Sequence, residues 1–280
     1  MKKGRSLRLL VPAAVLLFAA CSGKTETLRP VSVAAGIDHS DWDRLLKKYV
    51  DERGLVAYEK WKSSAEDRAA LDRYLARLAP EPRPAAEGDD LVASLVNAYN
   101  ALTVRWVLEH YPTRSIRSLD DSFAGRRHRV GGREVSLDEI EHATLRPRAG
   151  FRVHAALVCA ARSCPPLSRE AYQARWLDLQ LDRAMRNWLS RDDLNRFLPL
   201  EKKVEISAVF RWFAEDFEKA GGIRAVLKRY ARFEETGFLD SPELAIEYLP
   251  YDWGLNDQRQ PGRKYGRIRL LWDRFRDVVR

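Results

Sequence analysis

The chain has 280 residues, with 49 basic and 40 acidic side chains, a formal charge of +9, 45% apolar residues and 32% charged residues. That composition is globular rather than disordered or fibrous, and the length allows one large domain or two small ones. Three cysteines are too few for a small disulfide-stapled scaffold, and no apolar run reaches the roughly 18 residues of a membrane span.

Lys2, Lys3, Arg5 and Arg8 precede a 12-residue apolar run, Leu9 to Ala20, with the length and charge order of a signal peptide over residues 1–20. The run ends in Phe18-Ala19-Ala20-Cys21-Ser22. Small residues before a cysteine resemble a bacterial lipobox, which implies cleavage before Cys21 and lipidation of its thiol. Phe18 stands where lipoboxes usually carry Leu, so plain secretion is the alternative. Ser22 in place of Asp resembles lipoproteins sent to the outer membrane, on its periplasmic side. Without residues 1–20 the charge falls to +5, all of it carried by residues 257–280. Residues 21–256 are then neutral overall, which argues against a nucleic-acid-binding core.

Residues 21–38 read as a tether. Helical spacing predicts helices over Asp41 to Val50, Ala65 to Leu78 and Asp90 to His110, the last stopped before Pro112. Pro80 to Gly88 is a breaker-rich loop, and residues 119–135 read as loop and hairpin around Gly131-Gly132. Ser136-Leu-Asp-Glu139 is a capping-box pattern opening a helix to about Arg146. Val153 to Cys159 reads as a buried strand, and Ser168 as the cap of a helix running to Leu189. Lys203 to Ser207 alternates like a strand, Val209 to Lys219 and Ile223 to Tyr230 read as helices, and Leu244 to Tyr248 as a last strand. The expected architecture is a single helix-rich α+β domain with a small β-sheet, residues 39–256. From Gly266 to Arg280, apolar residues at three- and four-residue steps among arginines predict a basic amphipathic helix within the tail 257–280. Such a helix can lie on an anionic membrane or pack on the domain.

Asn97-Ala-Tyr-Asn100, Ser136-Leu-Asp-Glu-Ile-Glu-His142, His154-Ala-Ala-Leu-Val-Cys159 with Cys164-Pro-Pro-Leu, Trp212-Phe-Ala-Glu-Asp216 and Tyr251-Asp-Trp253-Gly-Leu-Asn256 fall in a fixed order. Together they resemble the family of domains of unknown function numbered 547, found in bacterial secreted proteins and in plants. Ala155 departs from it, since family members commonly carry an aromatic there, and the tail after Asn256 lies outside it. The family's activity is not established, so the resemblance implies no reaction.

The residues themselves leave several roles open. Cys159 and Cys164 are separated by four residues and a turn, which suits a disulfide beyond the inner membrane, an inert buried thiol, or a nucleophile. A Cys-x4-Cys pair is not the paired short spacing of zinc sites, so a metal is not expected. A thiol nucleophile needs a histidine and an orienting carboxylate or amide; His142 or His154, Glu139 or Glu141, and Asn97 or Asn100 supply the types. On a regular strand His154 would face away from Cys159. That leaves Cys164 folding back to His154, or His142 serving Cys159. Glu139 also has the capping-box role, and Asn97 and Asn100 suit the bracing of loops as well as catalysis. His39, His110 and His128 read as surface residues, and the Trp212-Phe213 and Tyr251–Trp253 clusters as core packing. No glycine loop or dinucleotide fingerprint is present, so no nucleotide cofactor is expected. The candidate catalytic set is Cys159, Cys164, His142, His154, Glu141 and Asn100, expected to converge in space. It points to a thiol hydrolase or acyl-transfer enzyme acting on amide or peptide bonds. The alternative is a non-catalytic envelope domain stapled by a Cys159–Cys164 disulfide.

Overall fold

A computed structural model describes residues 28–259. The signal segment, Cys21 and the basic tail from Gly266 lie outside the described residues. The architecture is helix-rich α+β: nine α-helices, several shorter helical turns, a two-stranded sheet and a three-stranded sheet among the described residues.

Helices α2 (Tyr58–Ser63) and α3 (Ala65–Leu78) pack on α4 (Gly88–His110), and α1 (Ser40–Tyr49) packs on α3 and α2. Helix α1 has Asp41 and Asp43 in its first turn and Lys47 and Lys48 in its last, which complements the helix dipole. Its Trp42, Leu45, Leu46 and Tyr49 form the buried face. Helix α3 starts at Ser64, whose side chain accepts the Asp67 N–H, a standard N-cap. Helix α4 is the centre of the molecule. Every residue from Leu91 to Val104 is buried, as expected for a helix made of small and apolar residues on all sides. It is long and apolar enough to cross a membrane by length and composition, but it is enclosed by the fold.

Strands β1 (His128–Val130) and β2 (Arg133–Val135) form the hairpin predicted around Gly131-Gly132. Both glycines have positive φ, +58° and +81°, the conformation a two-residue hairpin turn demands. The capping box at Ser136 is present in both directions: Ser136 N–H donates to Glu139 Oε2, and Glu139 N–H to Ser136 Oγ, each at 3.1 Å. It opens a π-helical segment, Glu139–Leu145, continued by α5 (Arg146–Ala149).

Three expected elements come out differently. Val153 to Cys159 is no strand: Gly150–Ala155 is a 3₁₀ turn, and the chain beyond it is held by the Asn100 side chain rather than by a neighbouring strand. A short apolar run does not distinguish a strand from a buried helical piece. Ser168 caps no helix; its hydroxyl bonds locally to Glu170, and α6 starts only at Leu177 and ends at Leu189. The intervening segment is pulled out of helix by Asn97, which bonds both the C=O and the N–H of Tyr172. The helix expected over Val209 to Lys219 breaks at Phe213 into α7 (Val209–Trp212) and α8 (Ala214–Glu218).

Helix α9 (Ile223–Tyr230) packs on α6 and α8. Strands β3 (Arg196–Leu198), β4 (Lys203–Ile206) and β5 (Ala245–Tyr248) lie in that order, β3 antiparallel and β5 parallel to β4. The body extends past the expected boundaries. Val31 and Val33 belong to the core, and Val31 N–H donates to Thr144 Oγ1, so part of the expected tether is packed. At the other end Asp257 is buried, accepting from the Tyr111 hydroxyl, and Gln258 N–H reaches the Val56 carbonyl.

Candidate functional site

A cavity of about 510 Å³ opens between α4, the loop after Leu119, the π-helical segment, the 150–165 segment, α7 and the strap 251–253. Glu141, His142, His154, Cys159 and Cys164 all line it. The fold thus brings together five of the six candidate residues. The sixth, Asn100, is not on the wall. Its side chain is used twice in bracing, donating to Ala156 O and accepting from Val158 N–H, both at 2.9 Å. This places the segment leading to Cys159 without facing the cavity.

The strand-based separation of His154 from Cys159 fails with the strand itself. With the turn at Gly150–Ala155 in its place, His154 and, further along the chain, Cys159 reach the same cavity. His154 is 3% exposed and stacks on Phe213 with ring centroids 4.0 Å apart. Its Nε2 lies 2.8 Å from Asp216 Oδ2. Burial pushes His154 down to about 4, against the pull of Asp216, so at neutral pH the imidazole is uncharged. Nε2–H then donates to the carboxylate, and Nδ1 carries the lone pair. Burial would raise Asp216, but hydrogen bonds from Arg146 and His154 outweigh it and hold the carboxyl below its usual range. The Arg146 Nε–Asp216 Oδ2 distance is 2.7 Å.

Asp216 was not among the expected orienting groups, Glu139, Glu141, Asn97 and Asn100. The signal that marks it is its place beside Phe217 on the buried face of α8, whose other carboxylates, Glu215 and Glu218, are exposed. Glu139 serves the fold alone: it is fully buried and bonded to Ser136, Arg126 and Arg133.

Glu141 has a side chain 12% exposed, with Oε1 4.0 Å from His142 Nδ1. Burial raises its carboxyl to about 7, with Asp138 adding to the rise and a hydrogen bond with Tyr99 opposing it. Glu141 and His142 are adjacent on the π-helical segment, and both line the cavity. His142 is lowered by its own burial, with Asp138 Oδ1 at 3.8 Å from Nε2 and Arg146 Nη1 at 3.3 Å from Nδ1.

Cys159 and Cys164 are joined in a disulfide, with Cα atoms 6.2 Å apart. Their surroundings differ. Cys164 is 5% exposed, while Cys159 is half-buried. Cys159 N–H donates to Cys164 Sγ at 3.0 Å, and the Tyr251 hydroxyl lies 3.1 Å from each sulfur. Between the cysteines Ala160 has φ +57°, a left-handed conformation that costs a non-glycine residue about 1–2 kcal/mol. It is held by Asn256 N–H on the Ala160 carbonyl and by the bridge from Ala161 to Leu255.

The aromatic clusters read as core packing do pack on the core, Tyr251 within it and Trp212, Phe213 and Trp253 against it, and they also form a wall of the cavity. Trp212, Tyr251 and Trp253 have ring centroids 4.6–5.9 Å apart. Two of the three histidines read as surface residues are not on the surface. His128 is 5% exposed with Nε2 buried and unbonded, because its strand packs inward, and burial lowers it to about 4. His39 is half-buried against Tyr74 and Ser94. His110 is exposed. Among the described residues no group of three or more His, Cys, Asp or Glu side chains is arranged to hold a metal ion.

Residues 86–189 match the model of the family described as "Protein of unknown function, DUF547". The match takes in α4 and the wall from Glu141 to Cys164; Asp216, Tyr251 and Trp253 lie beyond it. No curated protein and no solved structure matches the chain.

Proposed function

We propose that the domain, whose residues 86–189 match the DUF547 model, is a thiol hydrolase or acyl-transfer enzyme for amide or peptide bonds, resting with its cysteines joined. The observation that carries this is His154, held by Asp216 at 2.8 Å, on the same cavity as both sulfurs. A base oriented by a carboxylate beside a thiol is the arrangement that activates a cysteine nucleophile. Cys159, the more exposed sulfur, is the nucleophile in this reading. A dithiol must first reduce the Cys159–Cys164 bond, itself becoming a disulfide and leaving two thiols; His154 Nδ1 then takes the Cys159 proton, and the thiolate adds to the amide carbonyl carbon. The C–N bond breaks as the imidazolium returns the proton to the departing amine. Water, deprotonated by the same nitrogen, then cleaves the thioester. Asp216 stabilises the imidazolium that burial otherwise disfavours.

The proposed setting is the bacterial cell envelope, with Cys21 lipidated on the periplasmic side of the outer membrane and the basic tail as a second membrane contact. A disulfide suits that oxidising compartment. The substrate is unassigned, and the neutral core supports no nucleic-acid partner.

The test is peptide-library turnover by the full chain, followed by mass spectrometry with and without prior dithiol reduction. The expected result is cleavage by the reduced protein only, abolished in Cys159→Ala and reduced about 100-fold or more in His154→Ala. A reduced, folded protein that cleaves nothing, or cleavage surviving Cys159→Ala, discards the hydrolase. The second reading is a non-catalytic domain stapled by the disulfide, favoured by the bond between the two sulfurs. Under it Cys159→Ala only lowers stability, by about 2 kcal/mol for so short a closed loop.

A further inference from the structure

We propose that the Cys159–Cys164 pair is a thiol–disulfide exchange site that oxidises thiol-bearing substrates, with Cys159 the sulfur attacked and Cys164 the departing thiolate. The inference uses the same sulfurs as the hydrolytic reading but needs no hydrolysis. It rests on the unequal surroundings of the two atoms.

Exchange requires a thiolate to approach one sulfur along the S–S axis and the other to leave as an anion, so access and leaving-group stability decide the direction. Both favour one order. Cys159 is half-buried on the cavity wall, whereas Cys164 is 5% exposed. The buried sulfur has the donors. Cys159 N–H points at Cys164 Sγ at 3.0 Å, and the Tyr251 hydroxyl is 3.1 Å away. Tyr251 is equally close to Cys159 Sγ, but once Cys159 carries an uncharged adduct, the anion on Cys164 claims that proton. Hydrogen bonds to a charged acceptor are about twice as strong as those between neutral groups. Two of them on one sulfur offset the desolvation of a thiolate that still faces a cavity.

The step balances without a further reagent. A substrate thiolate forms a bond to Cys159 Sγ, the Cys159–Cys164 bond breaks, and its electron pair goes to Cys164 Sγ. A second substrate thiolate then displaces Cys159 from the mixed disulfide. Two substrate thiols are oxidised to one disulfide, the protein pair is reduced to two thiols, and the two substrate protons end on the cysteines. The aromatic wall of Trp212, Tyr251 and Trp253 beside the sulfurs gives an organic thiol a surface to pack on.

The experiment mixes the oxidised full chain with limiting glutathione, quenches with acid after short times, alkylates free thiols and maps the modified peptides. The expected result is glutathione on the Cys159 peptide and alkylation on the Cys164 peptide, in at least about tenfold preference over the reverse. Glutathione on Cys164, or an even distribution, overturns the assignment. A second measurement tracks thiolate formation in Cys159→Ser and in Cys164→Ser. Cys164 should ionise at lower pH than Cys159, and adding Tyr251→Phe to the first variant should move Cys164 upward by about one pH unit. The opposite order, or no effect of Tyr251→Phe, also overturns it. Peptide-library cleavage is scored separately, so loss of hydrolysis with intact directional exchange rejects only the hydrolase.

Discussion

Glu141 and His154 face one cavity, and the same burial shifts them in opposite directions. Burial raises the carboxyl to about 7 and lowers the imidazole to about 4, because in each case it disfavours the charged form. Near pH 6 both are uncharged. The raised carboxyl makes a prediction with a definite sign. Glu141 ionises near 4.5 when unfolded and near 7 when folded. Between those values the folded state binds more protons, so stability falls as pH rises from 4.5 through 7. Glu141→Gln removes that loss. The variant should match the wild type at pH 4.5 and exceed it at pH 8, on the order of 2–3 kcal/mol for a shift of this size. Urea unfolding at the two pH values checks this, and an equal difference at both would mean that the carboxyl does not titrate in this range. At this scale the sequence supplied residue types but not environments. His128 read as a loop residue because arginines flank it, yet its side chain faces the core. Asp216 went unassigned because its partners, His154 and Arg146, are 62 and 70 residues away.

At the scale of elements, asparagine side chains do work that backbone ladders do elsewhere. Asn97 and Asn100 lie one turn apart on α4 and each make one donated and one accepted bond to backbone, at Tyr172 and at Ala156 and Val158. These four bonds account for both the missing strand at Val153–Cys159 and the late start of α6. A segment whose N–H and C=O groups are satisfied by an amide side chain does not need a neighbouring strand or its own helix. Asn100→Ala should therefore cost about 2–4 kcal/mol, since it leaves a buried N–H and a buried C=O without partners. It should also shift the Cys159 segment. Denaturant melting gives the first effect. The rate of disulfide reduction by glutathione gives the second, with faster reduction expected. Unchanged stability would mean that water replaces the amide. The long helices and the hairpin were legible because periodicity and paired glycines are local signals. The short elements were not, because their partners are distant.

For the whole molecule, packing contacts run further than the motif pattern implies and take in Asp257 and Gln258. A truncation that tests the tail must therefore keep these contacts and end after Arg259. Removing residues 260–280 and replacing Cys21 should release the protein from anionic vesicles more completely than replacing Cys21 alone, with the melting temperature unchanged. Arginines near an anionic surface contribute roughly 1 kcal/mol each, so the difference should shrink at high salt. Equal release with and without the tail would assign the tail to packing instead.

The amino-acid sequence by itself determined the helix-rich α+β class, the central helix, the capping box at Ser136, the DUF547 resemblance that residues 86–189 match and the shortlist of reactive side chains. Each depends on local spacing or on residue type, which a linear chain displays directly. Only the tertiary structure decided that Cys159 and Cys164 are joined, that Asn100 braces rather than faces the cavity, and that Asp216 orients His154. It also decided that the aromatic clusters line the cavity wall. Those outcomes depend on which surfaces meet across tens of residues and on how deeply each polar group is buried when they do. Burial and hydrogen bonding, which set charge state and reactivity, exist only once the chain has closed around them.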